Sequence, residues 1–146
     1  MIRRIGTPPL AGQRYHLRPG VYAILPIKRR FLLTAQVARD IDVQLPGGGI
    51  DAGESPLQAL HREVLEEIGW RIAAPRRLGA FRRFVFMPEY DLWAEKLCHV
   101  YVAHPVRQIA EPTEPDHITL ILSGKDAVET LGNDGDSMFM QQFISR

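Results

Sequence analysis

The chain has 146 residues, 45% hydrophobic and 24% charged, a size and composition that suit one ordinary domain and argue against disorder. With 18 basic and 17 acidic residues the net charge is +1, which argues against a broad basic surface for long nucleic acid. A single cysteine, Cys98, excludes a disulfide scaffold and paired-cysteine metal knuckles.

Residues 1–20, rich in Arg, Pro and Gly, predict an irregular N-terminal arm with a short edge strand around Gln13–Leu17. Val21–Leu25 and Phe31–Ala35 are apolar β-type runs, and Lys28-Arg29-Arg30 between them predicts a hairpin with a solvated basic turn. Asp42–Leu45 predicts a short strand stopped by Pro46-Gly47-Gly48-Gly49, whose glycines predict a loop of unusual dihedrals or close approach. Ser55 to Ile68 predicts a helix. Ser55 suits the N-cap, Pro56 the first helical position, Gln58 completes a capping box and Gly69 ends it. Leu57, Leu60, Val64 and Ile68 form its expected core stripe.

Leu78–Phe86 and Lys96–Ala103 predict strands joined by a loop over Met87–Glu95, with Phe84 and Phe86 assigned to the core. In the second strand Cys98, Val100 and Val102 alternate with His99 and Tyr101, predicting one buried and one more polar side and an inert, buried thiol. Ile109–His117, with Pro112, Pro115 and three acids, predicts a loop, while Lys125–Leu131 and Ser137–Ile144 predict short helices. The order predicts a mixed α/β domain around one sheet, spanning residues 1–146 without repeat or linker. The first residues lack the apolar core of a signal peptide, and no apolar run approaches the ~20 residues that cross a bilayer, so the expectation is a cytoplasmic protein with no membrane partner.

The chemistry concentrates in Arg62-Glu63-Val64-Leu65-Glu66-Glu67. Glu63, Glu66 and Glu67 share one helix face at i, i+3 and i+4, beside the apolar stripe. They repel one another and lie in the C-terminal half, where the helix dipole disfavours negative charge. A solvated acidic surface is the ordinary reading of such a cluster. A hard divalent cation, Mg²⁺ or Mn²⁺, is the occupant that would relieve it.

The wider pattern is Gly48, five residues, Glu54, seven residues, Arg62-Glu63-Val64, one residue, Glu66-Glu67, one residue, Gly69-Trp70. It resembles the signature of the Nudix hydrolases, with Trp70 standing where a branched aliphatic residue is commoner. The resemblance implies an α/β/α sandwich with a central mixed sheet, and metal-assisted hydrolysis of a pyrophosphate bond in a small nucleoside diphosphate-linked substrate. It implies Glu63, Glu66 and Glu67 as metal ligands, joined by the Gly48 carbonyl. It further implies that one of the three, most often Glu63 or Glu66 in the family, is the general base, that Arg62 orients the carboxylates and that Glu54 supports the cluster. A further acid from a downstream loop is expected among Glu111, Glu114 and Asp116, with Glu114 favoured. A homodimer is compatible with the family.

The other end of the substrate is less marked. Arg82 and Arg83 face opposite sides of a strand, so one at most reaches the site, and Arg83 is assigned to it. Tyr90 and Trp93, placed in a loop, are the candidates for stacking a base. Pro88 and Tyr90 lie eighteen and twenty residues past Trp70, which fits neither the ADP-ribose nor the diadenosine-polyphosphate type cleanly. The general nucleoside-triphosphate type, including oxidised nucleotides, is favoured by elimination. The alternatives are hydrolysis of ADP-ribose, dinucleoside polyphosphates or RNA 5′-triphosphate ends, or a non-catalytic nucleotide-binding module.

Overall fold

A computed structural model describes residues 1–38 and 40–146. In chain order it contains β1 (His16–Ile27), β2 (Arg30–Gln36), β3 (Asp42–Gln44), β4 (Gly47–Gly49), α1 (Pro56–Ile68), β5 (Trp70–Met87), a 3-10 turn (Pro88–Tyr90), β6 (Leu92–Gln108), β7 (His117–Ser123), α2 (Gly124–Thr130) and α3 (Asp134–Ile144). The strands build one mixed sheet in the order β3-β2-β1-β6-β5, with β4 added to β1 and β7 to β2. β1 runs parallel to β6, and the other pairings are antiparallel.

The apolar run of β1 is continuous because both of its faces are covered. Val21, Ala23 and Leu25 pack with Ala59, Leu60, Val64 and Ile68 of α1. Tyr22 and Ile24 turn the other way, into a cluster with Phe81 and Val100 that Ala127, Phe139 and Met140 of α2 and α3 close. The result is the expected α/β/α sandwich.

Local signals place α1 well. Ser55 accepts from the Gln58 amide at 3.1 Å, and the Gln58 side chain accepts from the Ser55 amide at 2.9 Å. Gly69 ends the helix in the left-handed region at φ 73°. The β1–β2 hairpin turns through Lys28 and Arg29, both at positive φ, as a two-residue turn demands.

Five sequence expectations are corrected. Residues 16–20 belong to β1 rather than to an irregular arm, because β6 pairs with them from His16 onward. The arm that remains is itself bridged to the sheet, Arg4 against Arg82. Gly47–Gly49 is a strand, antiparallel to β1 from Gly20 to Tyr22. His117–Ser123 is also a strand, paired along the length of β2, so the loop ends at Asp116. Trp93 sits inside β6, opposite Phe86 in β5.

The burial expectations shift as well. Leu57 is 44% exposed in the first turn of α1, beyond the edge of the sheet-facing stripe. Tyr101 is buried under α1, because its side of the sheet is covered too. Phe84 packs edge-on to Tyr15 and Phe86 is exposed, so neither belongs to the core. Cys98 is buried as expected. Among the described residues, no helix is long and apolar enough to cross a membrane.

Candidate active site

A cleft of about 660 Å³ opens where β1, β4, α1, β5, β6 and the loop before β7 meet. Its lining includes Gly48, Glu63, Glu67 and Glu114 together with Arg83, Tyr90 and Lys96. Gly47 enters β4 at φ 153°, so close to β1 that a side chain there would strike the Val21 carbonyl. Gly48 is held directly against Glu63, and a methyl group in its place would overlap that carboxylate. Gly47 and Gly48 therefore serve close approach, to β1 on one side and the acidic face of α1 on the other.

Arg62 organises that face. Its Nε and Nη2 donate to the two oxygens of Glu54 at 2.7 and 2.8 Å, a bidentate fork. Nη1 donates to Glu63 at 2.9 Å and to Glu66 at 3.2 Å, and Nη2 also donates to the Gly49 carbonyl at 3.0 Å. Asp51 adds an ion pair at 3.4 Å. One guanidinium thus ties the β4 backbone, the helix-start acid Glu54 and two carboxylates of α1 into a single array. The Arg62 fork holds the Glu54 carboxyl down to about 2, helped by the Asp51 amide.

Glu114 arrives by a backbone tether. The amides of Thr113 and Glu114 donate to the Glu66 carbonyl at 2.8 and 3.2 Å, and those of Ile109 and Ala110 donate to the Gly69 carbonyl at 2.9 and 3.2 Å. The end of α1 leaves its last carbonyls without helical partners, and the loop satisfies them. Oxygens of Glu63, Glu66 and Glu114 consequently lie within 4.8 Å of one another. Glu111 and Asp116 stay exposed and outside this group.

Glu67 stands apart from that trio. It is 6% exposed, accepts the Gly47 amide at 2.8 Å, and lies 3.5 Å from Nδ1 of His117. Burial pushes its carboxyl up to about 8, with Glu63 and Glu114 adding to the rise and the Gly47 amide opposing it. Burial also pushes His117 down, and its Nδ1 shares a 2.9 Å hydrogen bond with the Thr34 hydroxyl. The short Glu67–His117 distance is therefore a contact with a neutral imidazole near pH 7 rather than a charge pair. Burial raises Glu63 as well, against the pull of Arg62.

The remaining candidates divide. Arg83 lines the cleft, whereas Arg82 turns away to Glu95 at 2.9 Å and to the Ile2 carbonyl. Tyr90 sits on the rim, 60% exposed, with the Arg18 guanidinium 4.9 Å from its ring centre. Trp93 does not line the cleft. It packs on Tyr15 and Phe86 instead. Lys96 and Tyr22 line the cleft without having been singled out from the sequence, and Phe86, assigned there to the core, lines it too. A lone lysine in a strand carries no signal until its cross-strand register is known.

Comparisons with known proteins give the family and the fold. The family model of the NUDIX domain matches residues 14–143. An RNA pyrophosphohydrolase of Helicobacter pylori (strain G27) is 52% identical over 58 residues, 36% of this chain and 37% of that protein. A Bacillus subtilis protein named "Putative 8-oxo-dGTP diphosphatase" is 43% identical over 49 residues, 34% of this chain and 33% of its own. The chain thus spans about a third of the length of these curated relatives. Among solved structures, a NUDIX hydrolase from Nitrosomonas europaea superposes with a TM-score of 0.74 at 18% identity, over 89% of this chain and 90% of that one.

Proposed function

This chain belongs to the NUDIX family, and from that premise we propose that it is a metal-dependent pyrophosphohydrolase of small nucleotides, with a (deoxy)nucleoside triphosphate as its preferred class. The observation that carries the reading is the convergence of Glu63, Glu66 and Glu114 within 4.8 Å, the first two held by Arg62 and the third by its backbone tether to α1. Three half-buried carboxylates form an all-oxygen donor set, which suits Mg²⁺ or Mn²⁺. Glu63, Glu66 and Glu114 would hold the ion, with Glu67 and the Gly48 carbonyl as neighbouring donors. When bound, it neutralises phosphate charge and lowers the pKa of a water.

The protein's own groups supply the rest. Arg62 keeps Glu63 and Glu66 oriented, and Glu54 anchors Arg62 through the two-pronged contact. Glu63 or Glu66 accepts the proton of the attacking water. Gly48 leaves room for Glu63 at the cleft wall. The exposed ring of Tyr90 offers the base a stacking surface at the rim. A second reading, removal of pyrophosphate from the 5′-triphosphate end of RNA, is favoured by the printed name of the Helicobacter pylori relative.

The test is a hydrolysis screen with Mg²⁺ and with EDTA. The substrates are canonical and oxidised nucleoside triphosphates, ADP-ribose, diadenosine polyphosphates and 5′-triphosphate RNA. Metal-dependent turnover that is highest on triphosphates supports the proposal. Turnover of RNA ends but not of free nucleotides transfers it to the second reading. No turnover of any class with Mg²⁺ or Mn²⁺ would leave a nucleotide-binding module.

A further inference from the structure

We infer that Arg83 and Lys96 form a seat for a phosphate dianion in the cleft, selecting substrates whose phosphate chain ends in a free terminal phosphate. The inference rests on the pyrophosphohydrolase reading and deepens it.

Arg83 of β5 and Lys96 of β6 are direct cross-strand partners, so their side chains leave the sheet on the same face. Like charges placed this way oppose each other and weaken a strand pair. Both residues line the cleft that also holds Glu63, Glu67 and Glu114. Among the described residues, no carboxylate lies within 4 Å of either cation, whereas Arg62 engages four acids and Arg82 pairs with Glu95. The nearby acids are committed elsewhere. Asp136 is buried and accepts the Leu45 amide at 3.2 Å, while Glu67 accepts the Gly47 amide. The Lys96 ammonium stands 5.6 Å from the centre of the buried Tyr22 ring, which fixes it inside the cleft rather than in bulk water.

Two cations on one face, neither in an ion pair among the described residues, make a site for an anion of charge near −2. A terminal phosphate carries about −1.5 to −2 at neutral pH, because its second pKa is near 6. Each phosphorus inside a doubly substituted diphosphate carries a single negative charge. The pair therefore matches the end of a nucleoside triphosphate, or of any chain with a free terminal phosphate. It is mismatched to ADP-ribose and to dinucleoside polyphosphates. The carboxylate trio at the other wall would receive the metal-bound portion of the same chain.

The experiment uses two variants, Arg83→Met and Lys96→Met, and two readouts. Calorimetric titration with inorganic tripolyphosphate in EDTA measures the seat without catalysis. Each variant is expected to bind at least about tenfold more weakly than wild type, the scale of one lost hydrogen bond to a charged group. Removing one of two opposed cations should also leave the ligand-free melting temperature of Arg83→Met no lower than that of wild type. With Mg²⁺, the preference for GTP over ADP-ribose in kcat/KM should fall at least about tenfold in each variant, carried by KM. Failure of wild type to bind tripolyphosphate, equal binding by wild type and both variants, or an unchanged preference between the two nucleotides would overturn the seat. If wild type hydrolyses neither nucleotide, the small-nucleotide reading fails while the titration still decides whether the anion seat exists.

Discussion

Replacing Glu67 by Gln should abolish most of a pH-dependent loss of stability in the metal-free protein. The residue is 6% exposed and its carboxylate accepts the Gly47 amide at 2.8 Å. Burial, with Glu63 and Glu114 nearby, pushes it from 4.5 up to about 8. The folded state therefore binds a proton that the unfolded state has released between those two values. Its contribution to stability is complete below pH 4.5 and is lost as the pH rises towards 8. A shift of that size corresponds to about 3–5 kcal/mol once fully expressed. Glutamine keeps an oxygen to accept the Gly47 amide and cannot ionise. Urea denaturation in EDTA from pH 5 to pH 9, followed by circular dichroism, should show wild type losing roughly that amount relative to Glu67→Gln. Glu63, raised in the same direction by its own burial, remains in both proteins, so only its coupling to Glu67 enters the difference. Parallel stability curves for the two proteins across the range would refute the burial argument.

Three further outcomes follow from the same geometry. Arg62→Lys removes the fork that spans Glu54, Glu63 and Glu66, and should lower kcat about 10- to 100-fold while circular dichroism shows the fold retained. Gly48→Ala puts a methyl group where the Glu63 carboxylate lies and makes that flexible side chain swing aside, so chemical denaturation should show a cost under about 1 kcal/mol while turnover falls with the displaced carboxylate. Cys98 is buried with its thiol pushed up to about 12 by desolvation, so a disulfide reagent at pH 8 should leave the native protein unlabelled and modify it only after unfolding.

What the chain announces about itself depends on the distance over which each structural cause acts. The motif helix is legible to the residue because Ser55, Pro56, Gln58 and Gly69 act within one turn of its ends. Glu54, Arg62, Glu63 and Glu66 are legible because their spacing carries them onto one array, and the structure ties all four together. The strand His117–Ser123 escapes notice because its pairing with β2 joins residues more than eighty positions apart, behind a loop of prolines and acids. Pro19 and Gly20 read as an interruption, yet β1 runs through them, and the Pro19 carbonyl accepts from Ile50 at 3.0 Å. Trp93 misleads because an aromatic residue near a turn looks free to stack on a ligand, whereas Tyr15 and Phe86 already occupy its ring. Lys96 becomes informative only once the β5–β6 register sets it against Arg83.

The central claim is that the acidic face of α1 performs the chemistry. The most direct measurement is the rate of GTP hydrolysis with Mg²⁺ by wild type, by wild type in EDTA, and by Glu66→Gln folded to the same melting temperature. The account predicts turnover that EDTA abolishes and that falls at least about 100-fold in the variant, the low end for loss of a general base or a metal ligand. Undiminished hydrolysis by Glu66→Gln would contradict it and place the reaction elsewhere on the protein.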